Sequence, residues 1–409
     1  MKTAPKSLRL HIGLFGRRNV GKSSVLNAVT RQSVSIVSEV AGTTTDPVEK
    51  PMEILPLGPV LFIDTAGVDD MGSLGKQRIG KTKKIFDRTD IAVIVAEAGH
   101  WGSFEEKLLD EFTKRNVPAI VVLNKIDIAR ADKNLLKELS NKNIKFIEAV
   151  ATEGVGISEI RTSLIETVPE SFINPPSIVG DLLGPDNMAV LVVPIDKEAP
   201  KGRLILPQVQ VIRDILESDS YCTVVKEREL SSVLERFKEK PKIVITDSQA
   251  FLKVAADTPE DVLMTSFSIL FARFKGDLNE FVSGASAIEK LESGDKVLVA
   301  ESCSHHQICE DIGIVKIPRW LRQYTGCKLE FDSFHGYDFT DKIQDYKLVI
   351  QCGGCMWNRR QMLSRISQCK EANVPITNYG VAISYCLGIF ERALKPFSYS
   401  LDYFKGRGG

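Results

Sequence analysis

Between Leu8 and Val168 the chain alternates short apolar runs (LHIGLF, VLFIDTAG, IAVIVAEA, AIVVLNK, IKFIEAV) with stretches of helical period. Continuous apolar strands separated by amphipathic helices are the pattern of a parallel sheet covered on both faces, so residues 1–170 read as an α/β domain. VPESFINPPSIVG then breaks the period with three prolines, and the stretch from Pro169 to Gly180 reads as a linker. From Met188 to Val262, AVLVVPI, YCTVVKE and KIVITD read as strands around the helical ILPQVQVIRDILES and ERELSSVLERFKEK, a smaller parallel αβ unit over 180–264 without a phosphate loop. EDVLMTSFSILFARFKGDLNEFVSGASAIEKL reads as one or two helices with an apolar stripe, and DKVLVAES and YKLVIQCGG as strands of a last αβ domain over 265–409.

Composition narrows the function. A length of 409 residues suggests two to four domains at about 150 residues each. Lys plus Arg and Asp plus Glu stand at 53 each, so the chain lacks the positive excess needed to coat nucleic acid or an anionic membrane. Its N-terminal residues show no signal-peptide run and no apolar stretch is long enough to span a bilayer, which predicts a cytoplasmic protein. Eight cysteines are too few for a disulfide scaffold of this size, which makes each either a core filler or a ligand.

Residues 16–23, GRRNVGKS, match G-x-x-x-x-G-K-[ST] between the strand LHIGLF and the helix KSSVLNAVT. Gly16, Gly21 and Ser24 frame a loop whose N–H groups face phosphates, Lys22 reaches the β/γ-phosphates and Ser23 binds Mg²⁺. DTAG supplies Asp64 for the Mg²⁺ shell and the Gly67 N–H for the γ-phosphate, and AGTTTDP supplies a threonine hydroxyl. In NKID, Asn124 and Asp127 select guanine and Lys125 covers the base, so the expected ligands are GTP and GDP with Mg²⁺. VATEGVG places Ala151 at the guanine edge. Val68 stands where a water-positioning Gln would lie, which predicts slow intrinsic hydrolysis. The stretch 75–88, GKQRIGKTKKIFDR, carries six basic residues against one acidic and is either a solvated helix face or a switch helix.

Cys303 and His305 follow one predicted strand, and Cys352 and Cys355 follow another. Neighbouring parallel strands would bring both groups into one crevice at their C-terminal ends. C-x-H with C-x-x-C suits a structural zinc, an iron-sulfur cluster with an open position, or a dithiol pair. Cys222 and Cys386 lie in apolar runs and read as core. Cys309, Cys327 and Cys369 lack partners at metal spacing, and Trp357 reads as a shield or an anchor.

The nucleotide motifs, with G-T-T-x-D in the switch, resemble GTPases of the Era and tRNA-modification type. That resemblance implies Thr44 as the Mg²⁺ threonine and Asn19 as a K⁺ contact that stimulates hydrolysis. Taken with the C-terminal cysteines, the whole chain resembles the HydF family, the GTPases that mature FeFe hydrogenase. The family pattern is C-x-H and, after a long gap, H-C-x-x-C; here it reads Cys303-Ser304-His305 and Gln351-Cys352-Gly353-Gly354-Cys355, with Gln in place of the second His. The resemblance implies an α/β architecture throughout: a P-loop GTPase domain, a smaller αβ dimerisation domain and a C-terminal αβ metal-cluster-binding domain. It also implies a 4Fe-4S cluster on Cys303, Cys352 and Cys355, with His305 or Glu310 as fourth ligand and a di-iron precursor carried transiently. Implied partners are the hydrogenase HydA, the radical-SAM maturases HydE and HydG, and a second copy of the chain, without nucleic acid or membrane. The alternative is an RNA-modification or ribosome-assembly GTPase with a C-terminal zinc module.

Overall fold

The computed structural model describes residues 5–30, 48–65, 84–195, 202, 204–302, 311–337, 339–340 and 342–407. The chain folds as two compact units, Met1–Pro175 and Pro176–Gly409.

The first unit holds β1 (Leu10–Phe15), β2 (Val48–Ile54), β3 (Gly58–Asp64), β4 (Ile91–Glu97), β5 (Ala119–Asn124) and β6 (Lys145–Ala149) in the order β2-β3-β1-β4-β5-β6. Every residue of β1 is buried. Its alternation divides the core: Leu10, Ile12 and Leu14 pack with the helices Lys22–Thr30 and Ile157–Thr167, while Phe15 faces the helices Ser103–Lys114 and Lys133–Asn141. Each large apolar side chain buried this way contributes roughly 1.5–3 kcal/mol. Phe15, Phe86 and Phe112 form an aromatic trio with ring centroids 4.7–5.1 Å apart. The sheet is parallel except for β2, which runs antiparallel to β3. This edge strand, VEKPMEI, was not legible as a strand. It is polar, mostly half-exposed, and contains Pro51, which an edge tolerates because one N–H side needs no partner.

The second unit contains two four-stranded parallel sheets. β7 (Met188–Val192), β8 (Tyr221–Val225), β9 (Ile243–Thr246) and β10 (Leu263–Ser266) are ordered β10-β9-β7-β8. β11 (Lys296–Ala300), β12 (Glu330–Phe334), β13 (Leu348–Gln351) and β14 (Ile376–Asn378) are ordered β12-β11-β13-β14. Both sheets therefore wind the same way, with the first strand central and the chain reversing direction beside it. One apolar core runs through both, from Ile178 to Phe397.

Three readings of the sequence change here. The run expected to be wholly helical from Glu260 begins with β10, and only then come the helices Phe267–Lys275 and Leu278–Ala285. LMTSFSILF is mostly apolar, broken only by Thr265, Ser266 and Ser268, and is too short for its period to separate strand from helix; Ser266 marks the change, its Oγ accepting from Ile269 N at 3.2 Å as an N-cap. ERELSSVLERFKEK forms only the helix Leu230–Leu234, because Phe237 is the sole apolar residue beyond it and one residue makes no face. β12 and β14 were not anticipated: the first is a sheet edge half-buried only at Phe331 and Phe334, and the second is three residues long.

Candidate functional site

The C-terminal ends of β1, β3 and β5 carry the nucleotide motifs. Gly16 (φ 143°) has no room for a Cβ, which would lie 2.1 Å from Val95 O, and Gly21 (φ 96°) would place one 2.3 Å from Asn124 Nδ2. Asn19 also takes a left-handed conformation, φ 63°. These turns curl the loop around Lys22, whose Nζ donates to Gly16 O at 2.8 Å and to Arg17 O at 2.6 Å, placing a buried cation inside the curl. Ser23 and Ser24 begin the helix Lys22–Thr30. Ser23 Oγ donates to Asp64 Oδ2 at 2.9 Å, and Asp64 Oδ1 is buried without a hydrogen-bond partner. A buried carboxylate oxygen left open beside a hydroxyl is what a hard cation with its water shell requires, so Ser23 and Asp64 fit Mg²⁺. Thr65 is anchored by its Oγ1 to Leu14 O at 2.6 Å.

Asn124 joins both halves of this site. Its Nδ2 donates to Val20 O at 2.9 Å and its Oδ1 accepts from Ala151 N at 3.1 Å. The Ala151 N–H is therefore engaged by Asn124, and Ala151 reaches the nucleotide site through that side chain. Lys125 (φ 64°) pairs with Glu97, and Asp127 is exposed at the rim. Sequence reading missed the ion pair that holds the loop from outside. Arg17 Nε and Nη2 grip Glu105 at 2.8 and 3.1 Å, Glu105 is 0% exposed, and its Oε2 also accepts from Gly102 N at 3.0 Å. Arg17 and Glu105 are 88 positions apart and no local signal links them. Thr44, Gly67 and Val68 lie outside the described residues, as does most of the basic stretch 75–88.

A second constellation lies at the C-terminal ends of β11 and β13. These strands pair directly, Ala300 level with Gln351, and Cys352 N donates to Ala300 O at 2.9 Å. Gly354 (φ 66°) turns the chain back, and a Cβ there would meet Met362 Cε at 2.3 Å. Ser302, at the end of β11, donates its N–H to Cys352 Sγ at 3.1 Å, and the thiol donates to Ser302 Oγ at 3.4 Å. The structure thus brings Cys352 and the segment leading into Cys303 together. Cys303, His305, Cys309 and Glu310 themselves lie outside the described residues. Among the described residues no group of three or more His, Cys, Asp or Glu is placed to hold a metal ion.

Burial pushes the Cys355 thiol up to about 11, a negative Cys352 adds to the rise, and the Lys275 ammonium opposes it. Lys275 is 1% exposed and donates to Trp357 O. Trp357 is buried with Nε1 lacking a partner. On the other side Glu301, buried at the end of β11, receives the Tyr379 hydroxyl at 2.9 Å and lies 3.0 Å from His335 Nδ1. The N–H donors facing Cys352 Sγ suit a thiolate ligand there, whereas at Cys355 the Lys275 ammonium only partly offsets the rise that burial imposes. By contrast, burial raises Cys369 and Cys386 to about 12 without supplying any donor set, and Cys327 Sγ bonds Leu291 O at 3.3 Å.

Comparison with known proteins matches three successive segments of the chain. Residues 11–125 match the family described as 50S ribosome-binding GTPase, residues 178–276 the hydrogen maturase F dimerization domain, and residues 279–396 the hydrogen maturase F tetramerization domain. GTPase Der of Wolinella succinogenes is 39% identical over 153 residues, covering 36% of this chain and 32% of that protein. The tRNA modification GTPase MnmE of a Thermoanaerobacter species is 34% identical over 163 residues, covering 39% of this chain and 34% of that protein. The chain spans about a third of the length of these curated relatives. Among solved structures, Aquifex aeolicus Era bound to GDP.AlF4- has 21% identity and a TM-score of 0.35, covering 60% of this chain and 97% of that one. The G domain of the T. maritima FeoB iron transporter has 20% identity and a TM-score of 0.31, covering 39% and 98%.

Proposed function

A chain that matches the dimerization and tetramerization domains of hydrogen maturase F in succession, behind a GTPase domain, belongs to the HydF family; from that premise we propose that it is a GTP-hydrolysing scaffold for assembling and delivering the di-iron subcluster of FeFe hydrogenase. The observation that carries the reading is the match of residues 279–396 to the tetramerization domain, within which β11 and β13 pair and leave a C-x-x-C turn beside the strand that leads into Cys303.

In the GTPase domain, Lys22 and the loop amides bind phosphate oxygens, Ser23 and Asp64 hold Mg²⁺, and Thr44 and Gly67 report the γ-phosphate. Asp127 accepts from the guanine edge, Lys125 covers the ring, and Asn124 ties this end of the site to the phosphate loop. Val68 orients no water, so hydrolysis is slow without a charge supplied beside the phosphates. Asn19, held at φ 63°, offers its side-chain oxygen to K⁺ there. Replacing K⁺ by Na⁺ lowers kcat on this account, and equal rates in the two salts would remove the potassium assignment.

In the second unit, Cys303, Cys352 and Cys355 hold a 4Fe-4S cluster, with His305 or Glu310 as exchangeable fourth ligand. When bound, such a cluster supplies an iron coordination position at which a precursor can attach. The chain's own residues fix the sulfurs, screen their charge with Lys275, and keep Trp357 packed beside the CGGC turn. Partners are proteins: a second copy of the chain, the hydrogenase HydA and the maturases HydE and HydG. A cytoplasmic location accords with the absence, among the described residues, of any helix long and apolar enough to cross a membrane. The test is anaerobic purification followed by metal analysis. Iron with acid-labile sulfide is expected, whereas stoichiometric zinc without iron-sulfur absorbance would support an RNA-modification or ribosome-assembly GTPase with a zinc module.

A further inference from the structure

Gln351 stands where the resembled family carries the histidine of H-C-x-x-C, and its surroundings give it a definite task. The residue ends β13, is 0% exposed, and its backbone oxygen accepts from Asn378 Nδ2 at 3.3 Å. Its side-chain oxygen Oε1 accepts from Arg365 Nη1 at 2.8 Å. A guanidinium can only donate, so the amide oxygen must face Arg365 and the amide NH₂ must face the other way. That other way is Cys352: Nε2 lies 3.4 Å from Cys352 Sγ and 3.4 Å from Cys352 O.

Arg365 itself has little freedom. It is 1% exposed, its Nη2 donates to Gly336 O at 3.0 Å, and its guanidinium lies 4.2 Å from the Trp357 ring centroid and 4.5 Å from that of Phe339. A buried positive charge thus orients a buried amide, and the amide donates to a sulfur. With Oε1 turned to Arg365, the one atom of the amide able to ligate a metal faces away from Cys352, and the NH₂ group that faces the sulfur can only donate.

We propose that Gln351 is a positioning residue: held by Arg365, it donates a polarised N–H to Cys352 Sγ and thereby raises the reduction potential of the cluster that Cys352 ligates. The inference rests on the cluster reading of the preceding subsection. Its physical basis is the charge difference between redox states. Reduction places more negative charge on the sulfurs, so an N–H donor backed by a nearby cation stabilises the reduced form more than the oxidised one. Ser302 N–H, at 3.1 Å from the same sulfur, acts in the same direction but without a cation behind it.

The experiment is an EPR-monitored redox titration of the anaerobically reconstituted full chain, with iron and sulfide counted in the same samples. Gln351→Glu keeps an acceptor for Arg365 but removes the donor, and Gln351→Met removes the amide at little change in volume. Should Gln351→Glu fail to fold, Gln351→Met carries the same test. Both variants should retain wild-type iron and melt cooperatively. Their reduced-to-oxidised ratio at a fixed poise should fall about tenfold, a shift of about 59 mV for a one-electron couple. Arg365→Met should move the potential in the same direction. An unchanged potential in folded, iron-loaded Gln351→Glu and Gln351→Met overturns the proposal. So does loss of iron from a folded variant, which would make Gln351 a ligand. Wild-type protein that binds no iron overturns the cluster reading instead.

Discussion

His11 lies within β1 with its ring nitrogens 3.1 Å from Arg88 O and 3.0 Å from Lys6 O. Burial lowers the imidazole to about 4, and the positive charges of Arg88 and Lys6 add to the fall while the two carbonyls resist it. As pH drops, the unfolded chain takes up this proton first, near 6.5. The stabilisation is complete above the unfolded pKa and is lost as pH falls toward the folded one. It amounts to something on the order of 3 kcal/mol between pH 6.5 and 4. Thermal melts should show the first unit weakening across that window, with His11→Gln flattening the dependence; an unaltered slope in the variant would assign the acid sensitivity elsewhere. Residues whose roles are set by local motif, such as Lys22, Asp64 and Asn124, could be recognised in the sequence because each acts within a few residues of its strand end. Glu105, Lys275 and Arg365 could not. Their partners are 88, 82 and 14 positions away, across packing that no spacing rule encodes.

At the scale of elements, the parallel strands buried on both faces were readable, as were the edge strands β6 and β8, but the edges β2, β12 and β14 were not. β4 and β5 are apolar up to their last residue and β1 is apolar but for His11, whereas β2, β12 and β14 are short or mixed because an edge needs apolar contact on fewer sides. The junction between β10 and the helix Phe267–Lys275 hid for another reason: one mostly apolar run serves two elements, and the change falls at Ser266. Its Oγ caps the helix and also lies 3.2 Å from Ser248 Oγ, next to β9. Ser266→Ala should cost about 1 kcal/mol. The loss would register as a lower urea midpoint for the second unit at unchanged m-value, while an unmoved midpoint would mean that the cap contributes nothing.

For the whole molecule, the two sheets of the second unit repeat one winding and share one core, and the C-terminal part secures the first sheet. Arg392 donates to Ala255 O at 2.7 Å, Thr258 O at 2.5 Å and Pro259 O at 3.2 Å, holding the turn between β9 and β10. The repeat was invisible in the sequence, since topology can recur without recurrent residues. The pairing of β11 with β13 was nevertheless anticipated, because each apolar run ends in residues of the same cysteine-containing pattern. Balanced charge, 53 against 53, lacks the positive excess that coating nucleic acid or an anionic membrane requires. The central claim, a GTPase whose second unit ligates an iron-sulfur cluster with an exchangeable position, is tested most directly by EPR of the reduced, anaerobically reconstituted full chain with and without imidazole. A 4Fe-4S signal is expected that imidazole perturbs, that survives Lys22→Ala, and that disappears in Cys352→Ala. Zinc-loaded protein with no such signal, or a signal indifferent to Cys352→Ala, would contradict it.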